Sequence, residues 1–477
     1  MPAHQSPASR GQRLVRFETR HIRPIPPDER HGTARGLFFV WLGINMLPLT
    51  IVTGAVGTSV LGLPFGWAVA AIVAGNLVGG LGAALHAAQG PRLGIPQMLQ
   101  ARAQFGYHGG SILALIALLM FLGFFASNLV VAAQSFAEVV PGLSTDAGIA
   151  VCTAIALFVA VFGYDLVRKL MAIVSIVLGA VLIAALVLAL GNPAAFAVHR
   201  ELALTPAGFC AMVAIGAVWQ LAYAPYVSDY SRYLPDKTGA RPAFWATYSG
   251  LVLGTVLVMV LGALVGLTTE EGNAMGALGA LLGGFGAVTL AAFGVASAVM
   301  NSSNIYSGVM CSLTVLEAAF SRARVTTGTR VGMTAVYALL AMAMALFGQH
   351  DFLVVFKDFV AVLLYVLVPW SAINLVDYFV LRKGHYAVSD MFARDGGRYG
   401  RWDPVGLSCY AVGLAVQVPF MITSVFTGPL AEPMGGVDIA WIVGFASSAG
   451  LYALGKRGER NRLPHDTVEC DVQEQSS

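Results

Sequence analysis

Apolar runs about 20 residues long, the length that crosses a bilayer as a helix, follow one another from residue 36 to residue 455 with only short polar breaks. Twelve are legible, over 36–61, 66–88, 108–136, 147–164, 170–191, 207–229, 242–267, 278–314, 331–348, 353–381, 404–427 and 437–455. The pattern predicts an all-α integral membrane protein with twelve transmembrane helices in one domain over 36–455, flanked by polar tails over 1–35 and 456–477.

Charge tests that count, because connections on the cytoplasmic side hold the Lys and Arg of a membrane protein. With the N-terminus inside, 26 of the 28 basic residues fall in the two tails and the even-numbered connections, and only Arg200 and Lys357 fall outside. One missed or extra span would reverse every later loop, so the alternation supports twelve spans with both termini cytoplasmic. The first tail sets Arg10, Arg13, Arg16, Arg20, Arg23, Arg30 and Arg35 against Glu18, Asp28 and Glu29, and reads as a disordered cytoplasmic segment. It is too long and too charged for a cleaved signal peptide, and no organelle-targeting pattern is visible, so a plasma or bacterial inner membrane is expected.

Composition agrees: 57% of the 477 residues are hydrophobic and 11% charged, against about 25% charged in a soluble domain. Cys152, Cys210, Cys311, Cys409 and Cys470 show no C-x-x-C spacing, so neither a disulfide framework nor a zinc site is indicated. No GxGxxG or Walker pattern stands between strand and helix, which removes support for nucleotide or nucleic-acid binding. No metal, organic cofactor or obligate protein partner is expected. Glycines within helices, such as Gly276, Gly279, Gly283 and Gly286, read as close-packing positions. The Asn301-Ser-Ser303 sequon lies inside an apolar run, out of reach of glycosylation.

Two spans carry polar residues and a central proline: Trp41-Leu-Gly-Ile-Asn45-Met-Leu-Pro48 in the first, Trp219-Gln220-Leu-Ala-Tyr223-Ala-Pro225-Tyr226 in the sixth. Proline removes an N–H and clashes with the carbonyl one turn back, so both helices should kink or unwind. Spans 1 and 6 are equivalent if spans 1–5 and 6–10 are repeats, over about 36–191 and 207–381, with two trailing helices over 404–455. Five is odd, so the second repeat inserts upside down. Paired interrupted helices of this kind mark an inverted-repeat transporter with its site at the midplane; two ordinary proline kinks are the plain alternative.

Spans 3 and 8, also equivalent, hold Phe124 with Asn128, and Asn301 with Asn304. Amides in lipid must face the bundle interior, where they bind a ligand or join helices. Aromatic faces with amides across from them suit a small, flat, uncharged, heteroatom-rich ligand.

Several segments together resemble the nucleobase:cation symporter-1 family, and within it the purine and cytosine permeases. They are Arg23-Pro-Ile-Pro-Pro-Asp-Glu-Arg30 with Trp41-x-x-x-Asn45, the loop from Gly90-Pro-Arg92 through Gly94-Ile-Pro96-Gln97 to Arg102-Ala-Gln-Phe105-Gly106, Ser228-Asp229-Tyr230-Ser-Arg232-Tyr233, Asn304-Ile-Tyr306-Ser307, and Pro369-Trp370 with Asp377-Tyr378. The resemblance implies a LeuT-like fold of five plus five inverted repeats with two additional C-terminal helices, and cation-coupled import of a nucleobase. It further implies that Phe124 and either Trp219 or Tyr223 sandwich the ring, that Asn128 and Asn301 or Asn304 bond its edge, and that Asn45 and Gln220 belong to the pocket. Phe124 stands where a tryptophan is frequent.

Sodium-using members place hydroxyls just before the first asparagine of span 8, where this chain has Val299 and Met300. That favours H+ over Na+ as coupling ion. Glu138, Asp229, Asp358 and Asp377 lie near span ends and read as solvated or interfacial charges. Arg92, Arg102, Asp229 and Arg232 are candidates for a cytoplasmic gate, with Pro48 and Pro225 as its hinges. Membrane enzymes cluster His, Asp or Glu at an interface, but His86 stands alone and His350-Asp351 sits in a tight turn. A channel would show a filter loop or a ring of charge. The serious alternative is the same fold carrying an amino acid, a vitamin or another heterocycle.

Overall fold

The computed structural model describes residues 22–161, 164–196, 201–269, 273–320, 326–350 and 352–458. Expectations on residues 1–21, Arg200, Asp351, the tail beyond 458 with Cys470, and the side chain of Lys357 lie outside that set. The helices are α1 (Ala34–Ile44), α2 (Pro48–Ser59), α3 (Phe65–Ala87), α4 (Gly90–Leu93), α5 (Gln97–Gln100), α6 (Arg102–Ala137), α7 (Thr145–Val161), α8 (Tyr164–Gly191), α9 (Pro206–Leu221), α10 (Val227–Ser231), α11 (Ala240–Thr268), α12 (Ala274–Leu282), α13 (Gly286–Ala319), α14 (Thr327–Gly348), α15 (Phe352–Leu375), α16 (Pro404–Ala415) and α17 (Ala440–Gly455). Among the described residues, seven helical segments are long and apolar enough to cross a bilayer, and α1 with α2 forms an eighth, bent by 60°. Four shorter apolar helices, Thr145–Val161, Ile176–Gly191, Pro404–Phe420 and Ala440–Gly455, fill the other predicted runs.

Hydrocarbon is the solvent these helices require. Leu119, Phe158, Val187, Trp245 and Leu340 each expose about half or more of their surface, an arrangement that costs nothing in lipid and would be unfavourable in water. Inside, small residues let helices touch: a Cβ at Gly79 of α3 would stand 2.2 Å from the Ala217 carbonyl oxygen of α9, too close for any residue but glycine.

One predicted span needs correction. The run over 278–314 is two helices, because α12 ends at Leu282 and Gly283 turns with φ of 54° before α13 starts at Gly286. Nothing lies within 4 Å of a Cβ at Gly283, so this glycine serves the turn and not packing. The packing reading holds at Gly286, whose Cβ would meet the Gly279 carbonyl oxygen at 2.4 Å.

The polar N-terminal segment also departs from expectation. From residue 22 it is docked on the bundle, with Ile22 and Ile25 buried. Ile25 N donates to the Gly94 carbonyl at 3.0 Å and Gly32 N to Tyr233 at 2.9 Å, while Arg30 donates to the Pro91 carbonyl and Arg23 pairs with Glu317 at 3.5 Å. Pro26 is extended (φ −60°, ψ 149°) and Pro27 opens a 3-10 turn over Pro27–Glu29, so the N–H groups on either side of the turn reach carbonyls on the bundle.

Pro369 lies inside α15 and frees the carbonyl one turn back, an expensive group to leave unpaired in lipid. Gln417 donates to that carbonyl, on Tyr365, at 2.9 Å, and Tyr410 donates to the next one, on Val366, at 3.1 Å. Gln417→Leu keeps the volume and removes the donor. It is expected to cost about 1–3 kcal/mol, read as a lower unfolding temperature of the purified protein in detergent with uptake retained at low temperature.

Candidate functional site

Both predicted interruptions are present, and they adjoin one another. In the first, α1 ends at Ile44, Leu47 is extended (φ −123°, ψ 150°), and Pro48 is the first residue of α2, where a missing N–H costs nothing. In the second, α9 ends at Leu221 and a 3-10 turn over Ala224–Tyr226 carries Pro225 before α10. Asn45 joins the two. Its Oδ1 accepts from Trp219 Nε1 at 3.1 Å and from the Tyr223 hydroxyl at 2.6 Å, while its Nδ2 donates to the Trp41 carbonyl at 2.9 Å.

Beside these breaks lies a narrow cavity with about 30 Å³ of free room, lined by Phe124 and Asn128 of α6, Trp219 and Tyr223 of span 6, Ser303 and Asn304 of α13, and apolar Ile44, Leu47 and Met300. The Phe124 and Trp219 rings meet edge to face, centroids 5.9 Å apart. Asn128 is 4% exposed and its Oδ1 has no partner. Asn304 Nδ2 donates to Asn301 Oδ1 at 3.0 Å, and the Nδ2 of Asn301 is unpartnered. A buried acceptor left open is costly unless something meets it, and Asn128 lines the cavity together with Phe124 and Trp219.

Not every predicted pocket residue reaches the cavity. Gln220 faces the other way, donating to Asn76 Oδ1 at 2.6 Å, the Thr255 hydroxyl at 3.0 Å and the Leu251 carbonyl at 3.2 Å. It ties α9 to α3 and α11. Asn45 is spent on positioning Trp219 and Tyr223, and Asn301 acts through Asn304. Sequence spacing could not separate these cases, since each is an amide next to a break.

Each of the four charges grouped as a gate has a partner on another segment. Asp229 accepts from Gln97 N at 3.0 Å, Arg232 donates to the Tyr306 hydroxyl at 3.2 Å, and Arg92 reaches the Lys383 carbonyl at 3.5 Å. Arg102, 1% exposed, pairs with Glu317 at 3.3 Å and stacks over Tyr107 at 4.1 Å. Glu317, absent from the sequence reading, is the only acid between Asn273 and Phe320, and that isolation was the available signal.

Asp229 and Asp377 are not solvated charges, being 2% and 1% exposed. Asp377 accepts from Gln104 Nε2 at 2.8 Å, the Tyr386 hydroxyl at 2.7 Å, the Tyr452 hydroxyl at 3.1 Å and Arg382 Nε at 3.0 Å. It repays its burial with four donors contributed by three different parts of the chain. Burial, reinforced by the Asp377 carboxylate, holds the Tyr386 hydroxyl well above its ordinary pKa, so it stays a donor. Glu138 does sit at a solvated end, accepting from Asn273 Nδ2 at 3.1 Å. Asp358 is half-buried and accepts from Ser424 N at 3.1 Å.

The model of a family described as permeases for cytosine/purines, uracil, thiamine and allantoin matches residues 24–444. A putative purine-cytosine permease of Bacillus subtilis (strain 168), YxlA, is 39% identical over 92% of this chain and 95% of its own length. The purine-cytosine permease fcyB of Emericella nidulans is 27% identical over 92% and 88%. In fold the chain is similar to Mhp1, a nucleobase-cation-symport-1 family transporter solved closed with bromovinylhydantoin bound, with a TM-score of 0.75 at 19% identity over 96% of this chain and 98% of that one. The inward-facing conformation of Mhp1 gives a TM-score of 0.71.

Proposed function

The chain belongs to the family of permeases for cytosine and purines, uracil, thiamine and allantoin, and from that premise we propose that it imports a nucleobase of the cytosine/purine class by symport with a cation, a proton in preference to sodium. The family is one of transporters, and this chain is not an enzyme. The observation that carries the substrate class is the open amide oxygen of Asn128 on a cavity wall shared with Phe124, Trp219 and Asn304. A nucleobase edge offers a donor and an acceptor within one plane, and its faces stack on rings. A substrate seated between Phe124 and Trp219 requires Phe124 to swing from its present edge-to-face contact.

The preference for a proton rests on α13. Val299 and Met300 supply no side-chain oxygen just before Asn301, which leaves a poorer shell for sodium. The long spans and the four short apolar helices together make twelve crossings, as repeats over about 36–191 and 207–381 with 404–455 trailing. Both ends then face the cytoplasm across a plasma or bacterial inner membrane.

A second cargo class, another small heterocycle such as uracil, allantoin or a vitamin, is favoured by the breadth of the family description. Uptake of labelled cytosine, adenine, hypoxanthine, uracil and allantoin into cells lacking their own carriers separates the two. Accumulation of cytosine or a purine is expected, lost with a protonophore and unchanged without sodium. Absence of uptake for all five overturns the substrate class, and dependence on sodium overturns the ion.

A further inference from the structure

Where α3 packs against α15, four buried side chains hold polar atoms without partners: Nε2 of His86, Oε1 of Gln89, Nε1 of Trp370 and Oγ of Ser371. All four residues are at most 1% exposed. His86 Nδ1 lies 2.8 Å from the Gly82 carbonyl, an acceptor only, so Nδ1 carries the proton of the neutral ring and Nε2 presents a lone pair. The imidazole stacks on Trp370 at 4.9 Å.

From this point a line of hydrogen bonds leads to the end of the bundle that holds Arg382. Gln89 Nε2 donates to Asn374 Oδ1 at 2.8 Å, Asn374 Nδ2 to Gln104 Oε1 at 3.5 Å, and Gln104 Nε2 to Asp377 Oδ2 at 2.8 Å. Asp377 is bonded in turn to Arg382, whose side chain is 12% exposed. We propose that His86 carries the coupling proton, and that the Gln89, Asn374, Gln104 and Asp377 side chains line the path by which that proton leaves toward the cytoplasm.

This rests on the proton-symport reading above. Nε2 binds the proton while substrate is bound, and the same proton passes to water along the polar lining when the site opens inward, so nothing else is consumed. The coupling to conformation is direct. Ser228 Oγ donates to the His86 carbonyl at 3.1 Å and Ser231 Oγ to the Ala87 carbonyl at 2.7 Å, which fastens α10, the far half of the broken sixth span, to this end of α3. The titratable and charged groups on the elements packed against α3 are Cys210 on α9, Tyr226 on the turn before α10, Asp229 and Tyr230 on α10, Arg241 and Tyr248 on α11, and Lys357, Asp358, Tyr365, Asp377 and Tyr378 at span 10. Asp229 is bonded to Gln97 N and Asp377 to its four donors, and among the described residues neither forms an ion pair with His86.

The test measures affinity for labelled cytosine, adenine and hypoxanthine in proteoliposomes between pH 5 and 8, without gradients. Wild type is expected to lose affinity as pH rises, approaching tenfold per unit above the histidine pKa, because a proton bound with substrate must be taken up. His86→Gln should flatten that profile. A wild-type slope in His86→Gln overturns the assignment, and so does loss of all binding by this variant, which would mark the histidine as structural. Gln104→Leu leaves His86 in place, so its profile should match wild type while uptake driven by a pH gradient falls about tenfold; unchanged uptake overturns the path. A pH-independent wild type whose affinity responds to sodium would instead refute the coupling reading itself.

Discussion

Asn128→Ala is expected to reduce nucleobase uptake about 100-fold while the protein still reaches the membrane in normal amount. The Oδ1 of Asn128 is buried on the cavity wall with no protein partner, so truncation removes a contact that only the ligand makes. A site built to bond a polar edge discriminates steeply, since losing one partner strands the other in a desolvated place. The fold should barely notice, because the Asn128 side chain joins no helix pair and only its backbone carbonyl accepts from Ser297, at 3.4 Å. Uptake kinetics set against surface abundance decide the matter, and wild-type uptake would remove Asn128 from the pocket. Gln220→Ala should do the reverse, lowering abundance through lost contacts to α3 and α11.

Asp377→Asn is expected to fail as a folded protein, not as a binding site. The substitution keeps shape and removes charge, which leaves Arg382 largely buried against a neutral amide that also presents an N–H where donors now converge. Breaking a buried pair in this way costs about 3–5 kcal/mol, comparable with a large part of the stability of a typical domain. A marked loss of monodisperse protein in detergent, and an unfolding temperature lower by several degrees, would bear this out. An Asn variant as stable as wild type would show that the four donors around Asp377 hold without its charge.

These two cases differ in how far they were legible in the chain. Asn128 was found because an amide one turn after Phe124, in an apolar run, has no business facing lipid. Its partners could be guessed from residue type alone. Asp377 was misread as an interfacial charge because its position near a span end is all that one dimension reports. The groups that bury it come from Gln104, Arg382, Tyr386 and Tyr452, spread over nearly 350 positions of sequence, and no local pattern encodes that meeting. Asn45 and Gln220 were placed in the pocket for the same reason that Asn128 was, yet Asn45 accepts from Trp219 and Gln220 donates to Asn76 on neighbouring elements.

What the sequence determined by itself is whatever follows from solvent and period: apolar runs of bilayer length, basic residues in alternate loops, and two prolines that must interrupt their helices. Those properties are local, because each residue answers to lipid, water or its own backbone. The tertiary structure alone decided which buried polar group faces a cavity and which faces a partner, where the Arg23–Gly32 segment docks, and that His86 meets Trp370. Each of these depends on which side of one helix packs against another, and a hydrogen bond across that boundary is fixed by three-dimensional proximity that chain order does not express.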